Sequence, residues 1–92
     1  MSETAFTDNP AHSRFEWRER GMLAFADYRR RGDVLVIPHV EADVALRGTG
    51  AAGRLMQALA DHARSNGLKL TPICSYAVAW LGRHPKEADI LA

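Results

Sequence analysis

Residues 47–54, RGTGAAGR, place three glycines and two alanines between Arg47 and Arg54. Gly48 and Gly50 allow a tight backbone turn that exposes N–H groups. A helical apolar period begins at Gly50, so the free amides of a helix start and the positive end of its dipole fall on the same spot. Such a loop suits a phosphate or pyrophosphate. Arg47 and Arg54 supply charge, Ala51 and Ala52 leave room, and Thr49 stands as the N-cap. The same residues also suit a strand-to-helix turn with no ligand. Gly48, Gly50 and Gly53 match G-x-G-x-x-G, but a dinucleotide site needs a strand running straight into the first glycine and an acidic residue about 20 positions on. EADVALR intervenes before Gly48, and the later position falls in LTPIC, with no acid nearby. No Gly-Lys-Ser/Thr follows, which excludes a P-loop.

Other residues suit proton transfer or nucleophilic attack. His39 and Glu41 are two apart in a strand-like segment, so their side chains share a face. Either can act as a base, Glu41 directly or through water, and an imidazole titrates close to neutral pH. Each also suits a plain sheet position. Cys74 falls at a strand-to-helix junction, where a helix N-terminus favours thiolate and hence covalent acyl transfer or proton return. A buried, inert thiol fits there too. Tyr76, one turn into that helix, is an acid candidate or a core residue. His12, His39, His62 and His84 show no metal-ligand spacing, and a lone cysteine completes no site, so no metal is expected.

These groups need a frame. SRFEWRE, MLAFADYR and VLVIPHVEA alternate as strands and are joined by the short turns ERG and RRRGD, which predicts an antiparallel meander. In the first strand Phe15 and Trp17 face one way and Arg14, Glu16 and Arg18 the other. In the second, Leu23 and Phe25 oppose Ala24, Ala26 and Tyr28. Pro38 lacks an N–H, so the third ladder must break there, at an edge or a bulge. Gly50 to Ser65 is a helix with Ala51, Leu55, Leu59, His62 and Ala63 on one face, stopped by Asn66-Gly67. LKLTPIC is a fourth strand, parallel to the third. SYAVAWLGRH is a second helix, capped by Ser75 and ended by Pro85. The class is therefore α/β (α+β in stricter usage), with a mixed sheet of three antiparallel strands plus one parallel strand and two helices.

The chain has 92 residues, 47% apolar and 25% charged, with a formal net charge of +1. This is one domain with one modest core, expected over residues 12–92, after a disordered tail over residues 1–11. The charge balance suggests neither a nucleic-acid nor a membrane-surface partner, and Arg29-Arg30-Arg31 is a solvated hairpin tip. No apolar run approaches the roughly 20 residues that span a bilayer, and the N-terminus lacks a signal pattern, so a cytoplasmic location is expected.

Arg47-Gly48-Thr49-Gly50-Ala51-Ala52 fits R/Q-x-x-G-x-G/A, the acyl-CoA signature of the GNAT superfamily of N-acetyltransferases. With His39-x-Glu41 before it and Cys74 and His84-Pro85 after it, the chain from Phe15 to Leu91 resembles the compact single-domain branch of that superfamily. The resemblance implies a sheet that splays after its central strand. It also implies acetyl-CoA as acyl donor, with its pantetheine arm along the backbone of Val40, Ala42 and Val44 and its pyrophosphate on residues 47–53. Many branch members carry His-Thr-Glu-Val-Pro, where this chain has His39-Val40-Glu41-Ala42-Asp43. The tyrosine that protonates the CoA thiolate in larger members corresponds to Trp80. The expected activity is acetyl transfer to an unknown amine. The alternatives are an acyl-CoA-binding sensor or interaction module with little catalysis, motivated by the missing final strands of larger members, and a ligand-free structural domain.

Overall fold

The computed structural model describes residues 4–92. Five strands form one sheet in chain order: β1 (Thr4–Asn9), β2 (Arg14–Glu19), β3 (Met22–Arg31), β4 (Val34–Ala42) and β5 (Lys69–Pro72). β1 to β4 pair antiparallel, and β4 pairs with β5 in parallel through the crossover helix α1 (Ala51–Ser65). Helix α2 (Ser75–Arg83) follows β5. Short 3-10 turns occupy Pro10–His12, Val44–Leu46 and Pro85–Ile90. The mixed α/β class is the one the alternation and the period change imply.

The N-terminal segment departs from expectation. Met1 to Glu3 lie outside the described residues, but Thr4–Asn9 is a full strand, not a tail. Its polar composition hides one anchor. Phe6 lies opposite Trp17 and stacks on Phe15 with ring centroids 5.6 Å apart. Asp8 accepts a 2.7 Å hydrogen bond from the Tyr28 hydroxyl. β3 also runs further than its charge suggests, so Arg29, Arg30 and Arg31 are strand residues and the turn is confined to Gly32 and Asp33.

One face of the sheet is built for α1. Ala24 and Ala26 are fully buried, and their small side chains let the helix lie close. The helix answers with Leu55, Met56, Leu59, Ala60 and Ala63, all fully buried, while His62 packs on Phe6 and Phe15. The opposite face carries Arg14, Glu16, Phe25, Asp27, His39 and Glu41, placed together by the register. Glu16 is buried there under Arg14, Arg18 and Asn9, an ion pair that simple alternation does not reveal. Arg64 ties the C-terminal turn to α1 through Glu87 and Asp89, each at 2.8 Å. Among the described residues, no helix is long and apolar enough to cross a membrane.

Pro38 marks a β-bulge. Asp27 pairs with His39 and Arg29 with Val36, so β4 takes three steps where β3 takes two. The extra residue reverses the alternation along β4. Leu35 and Ile37 face the core before it, and Val40 and Ala42 pack against the core after it. His39 and Glu41 are thereby turned to the polar face, where 52% and 53% of their side-chain surface is exposed.

Phe6→Ala tests the docking of β1. It should lower the unfolding free energy by about 1–2 kcal/mol through lost burial and ring stacking, read by urea denaturation. An unchanged midpoint would mean that the segment behaves as a tail.

Candidate active site

β4 and β5 part company after one short ladder. Their last register pair is Ile37 with Pro72, and Pro38 follows on β4. Neither proline can donate a backbone hydrogen bond. The Ile37 carbonyl accepts from the amides of both Ile73 and Cys74, at 3.0 and 3.1 Å, as β5 bends away into α2. β4 continues to Ala42 with β3 alone. The Asp43 amide donates to the Leu23 carbonyl at 2.8 Å, which sets the bonding parity of this stretch. By the alternation of an antiparallel ladder, His39 and Glu41 bond to β3, while the backbone groups of Val40 and Ala42 point into the gap.

The gap opens into a cleft of about 310 Å³. One wall is Val40, Glu41 and Ala42, another is the loop through Arg47, Gly48 and Gly50 into Ala51 and Ala52, and Tyr76 of α2 completes it. Leu46, almost fully buried, forms the base. The sequence offered one weak sign of it, an apolar residue just ahead of the glycine loop.

The loop adopts the conformation its glycines permit. Gly48 and Gly50 have φ of +78° and +87°, in the region that side chains avoid. The helix cap is Gly50 and not Thr49. Thr49 acts from one position earlier, accepting the Ala51 amide on its hydroxyl oxygen at 3.3 Å and donating to the Leu46 carbonyl. Among the described residues, the amides of Gly48, Gly50, Ala52 and Gly53 have no protein acceptor. Donors in a concave turn at a helix start fit a pyrophosphate. Gly53 is not demanded by packing, since a Cβ there would meet the Trp80 indole nitrogen at 3.4 Å and the Tyr76 hydroxyl at 3.7 Å, both ordinary contact distances.

The two arginines differ. Arg47 lines the cleft and makes no ion pair among the described residues. Arg54 is engaged elsewhere: its Nε and Nη2 donate to the two carboxylate oxygens of Glu19, both at 2.7 Å, and Nη2 also reaches the Thr49 carbonyl at 3.1 Å. Trp17 donates to the same carboxylate at 3.0 Å. Nothing in the local sequence marks Glu19, which sits beside a turn.

The acid–base candidates separate spatially. Glu41 lines the cleft, and His39 reaches it only through a 2.9 Å hydrogen bond between its Nε2 and Glu41. Tyr76 lines the cleft and, like any phenol, is protonated at neutral pH; burial raises its pKa further, which makes it a weaker acid. Trp80 is buried one turn further on, stacked on His84. Cys74 is half-buried and, in place of Ser75, is the N-cap of α2; it does not line the cleft. Val44 projects from the 3-10 turn, 72% exposed. Among the described residues no three His, Cys, Asp or Glu side chains gather as a metal site.

The sheet thus opens between β4 and β5, with a glycine loop at the opening. The sequence pattern of the family described as GCN5-related N-acetyl-transferase matches residues 14–90, and the chain belongs to that family. It is also similar to the NMR solution structure of a GCN5-like protein from Staphylococcus aureus, with 26% identity and a TM-score of 0.70, over 100% of this chain and 91% of that one.

The Glu19 carboxyl is pulled down to about 2, first by its bonds to Arg54 and then by Trp17. Its folded pKa lies below the ordinary value of 4.5, so its stabilisation is complete above that value and fades as pH falls towards 2. The melting-temperature gap between wild type and Glu19→Gln should therefore narrow over that acid range. A gap that stays constant there would contradict the assignment.

Proposed function

We propose that this protein binds acetyl-CoA in the cleft and transfers the acetyl group to an amine. The observation that carries the reading is continuity: free backbone groups on Val40 and Ala42 lead to the free amides of the 48–53 turn within one cleft. An extended amide-bearing arm pairs with the former as a strand would, and a pyrophosphate accepts from the latter. Arg47 adds charge at the loop. Acetyl-CoA, when bound, supplies an acetyl group activated as a thioester.

The chain's residues then handle protons. Glu41 takes the proton that an ammonium must lose before its nitrogen can attack the acetyl carbon, and His39 orients Glu41 or carries that proton to solvent. Tyr76, a phenol that carries its proton at neutral pH, supplies that proton to the departing sulfur as the C–S bond breaks. In this reading the role assigned to a tyrosine at the Trp80 position of larger members passes to Tyr76, one turn earlier. Transfer is direct, and Cys74 carries no acyl group.

Calorimetry with acetyl-CoA tests the binding step; no heat at near-millimolar ligand would remove it. Tyr76→Phe should lower kcat by about 100-fold with little change in acetyl-CoA affinity. An undiminished rate would take Tyr76 out of the chemistry. Tight binding without turnover across protein, polyamine and small-molecule amines would leave a binding module. An acetylated Cys74 in the intact mass would replace direct transfer with a two-step route.

A further inference from the structure

Two buried glutamates on β2 make ion pairs on opposite faces of the sheet, and only one of them reaches the glycine loop. Glu19, 8% exposed, accepts three hydrogen bonds, from Arg54 Nε, Arg54 Nη2 and Trp17 Nε1. The carboxylate lies 35 positions from Arg54 in sequence. The same Arg54 guanidinium lies across the turn. Its Nη2 donates to the Thr49 carbonyl at 3.1 Å, and its Nη1 stands 3.1 Å from where a Cβ on Gly50 would be.

We propose that Glu19 is a positioning residue: by clamping Arg54 across Thr49 and Gly50, it holds the loop amides in the array that receives a pyrophosphate. This rests on the loop being the pyrophosphate site. The clamp needs a planar fork, with two parallel bonds to a carboxylate and a third donor reaching a carbonyl, and only arginine offers that shape. Trp17 fixes the carboxylate in turn, so the chain of contacts runs from β2 through the guanidinium to the loop backbone. Arg54 thus contributes shape to the loop, while Glu19 already balances its charge.

The sign of one substitution separates positioning from direct binding. Glu19→Gln keeps the side-chain volume, removes the charge and loosens the fork. If Arg54 were a phosphate ligand held back by Glu19, releasing it would tighten binding of CoA. A positioning role requires the reverse, a KM for acetyl-CoA and a Kd for CoA raised by about tenfold, the scale on which outer partners of binding groups act. The kcat at saturating acetyl-CoA should be retained. Glu16→Gln, which breaks the pair with Arg14 and Arg18 on the other face, should leave those constants unchanged.

A second measurement needs no ligand. Amide exchange at 48–53 should be faster in Glu19→Gln than in wild type, relative to the β2–β3 amides, and unchanged in Glu16→Gln. Arg54→Lys, which keeps charge but not the fork, should behave like Glu19→Gln if the latter folds poorly. Tighter CoA binding in Glu19→Gln, or equal loop exchange in wild type, Glu19→Gln and Arg54→Lys, would overturn the proposal. If wild type binds no CoA, the pyrophosphate reading falls, and accelerated exchange in the variants would still establish the clamp on the loop.

Discussion

The separation of β4 from β5 is the constraint on which the rest of the site depends. Two prolines, one on each strand, stand where the parallel ladder ends. Beyond them β4 keeps one neighbour, and the backbone groups that would have bonded β5 are left facing a cavity. Unpaired peptide groups are costly when buried without a partner, so the arrangement persists only where solvent or a ligand can satisfy them. The gap also brings the loop before α1 and the first turn of α2 to the same place. A sheet with an unbroken β4–β5 ladder would have no cleft between them, whatever side chains it carried.

Pro38 has a second effect through the bulge. One inserted residue changes which face each side chain takes from that point on. Val40 and Ala42 turn inward, so the wall of the cleft is small and apolar. His39 and Glu41 turn outward on the polar face, with Glu41 at the cleft and His39 hydrogen-bonded behind it. An uninterrupted strand with the same sequence would place the imidazole and carboxylate on the α1 side, in a core that has no partner for them.

The loop shows how local and distant forces divide the work. Gly48 and Gly50 make its conformation available at little steric cost, and α1 supplies the amides. Holding that conformation is a different matter, because glycine is also the residue with most freedom to leave it. Thr49 pins the turn from within, through Leu46 and Ala51. Glu19, Trp17 and Arg54 brace it from the sheet. The helix face beneath is rigid because Leu55, Met56 and Leu59 are buried in the alanine-lined groove of β3.

The strands β2 to β5, both helices, the break at Pro38 and the shared face of His39 and Glu41 were legible in the sequence, because each follows from a local period or a missing N–H. The glycine loop was legible for the same reason, since left-handed backbone selects glycine directly. β1 was not, because its pairing is backbone to backbone and its anchor is a single ring, Phe6, resting on Phe15 and His62 from elsewhere in the chain. Nor were the separate fates of Arg47 and Arg54, one lining the cleft and the other bound to Glu19. Cys74 and Tyr76 stand two residues apart at the start of one short helix, yet of the two only Tyr76 lines the cleft. Sequence by itself determined what most segments from β2 onward are and which groups they offer. Tertiary structure alone decided which of those groups meet, because contact across tens of residues depends on how strands bend, bulge and separate, and no local pattern encodes that distance.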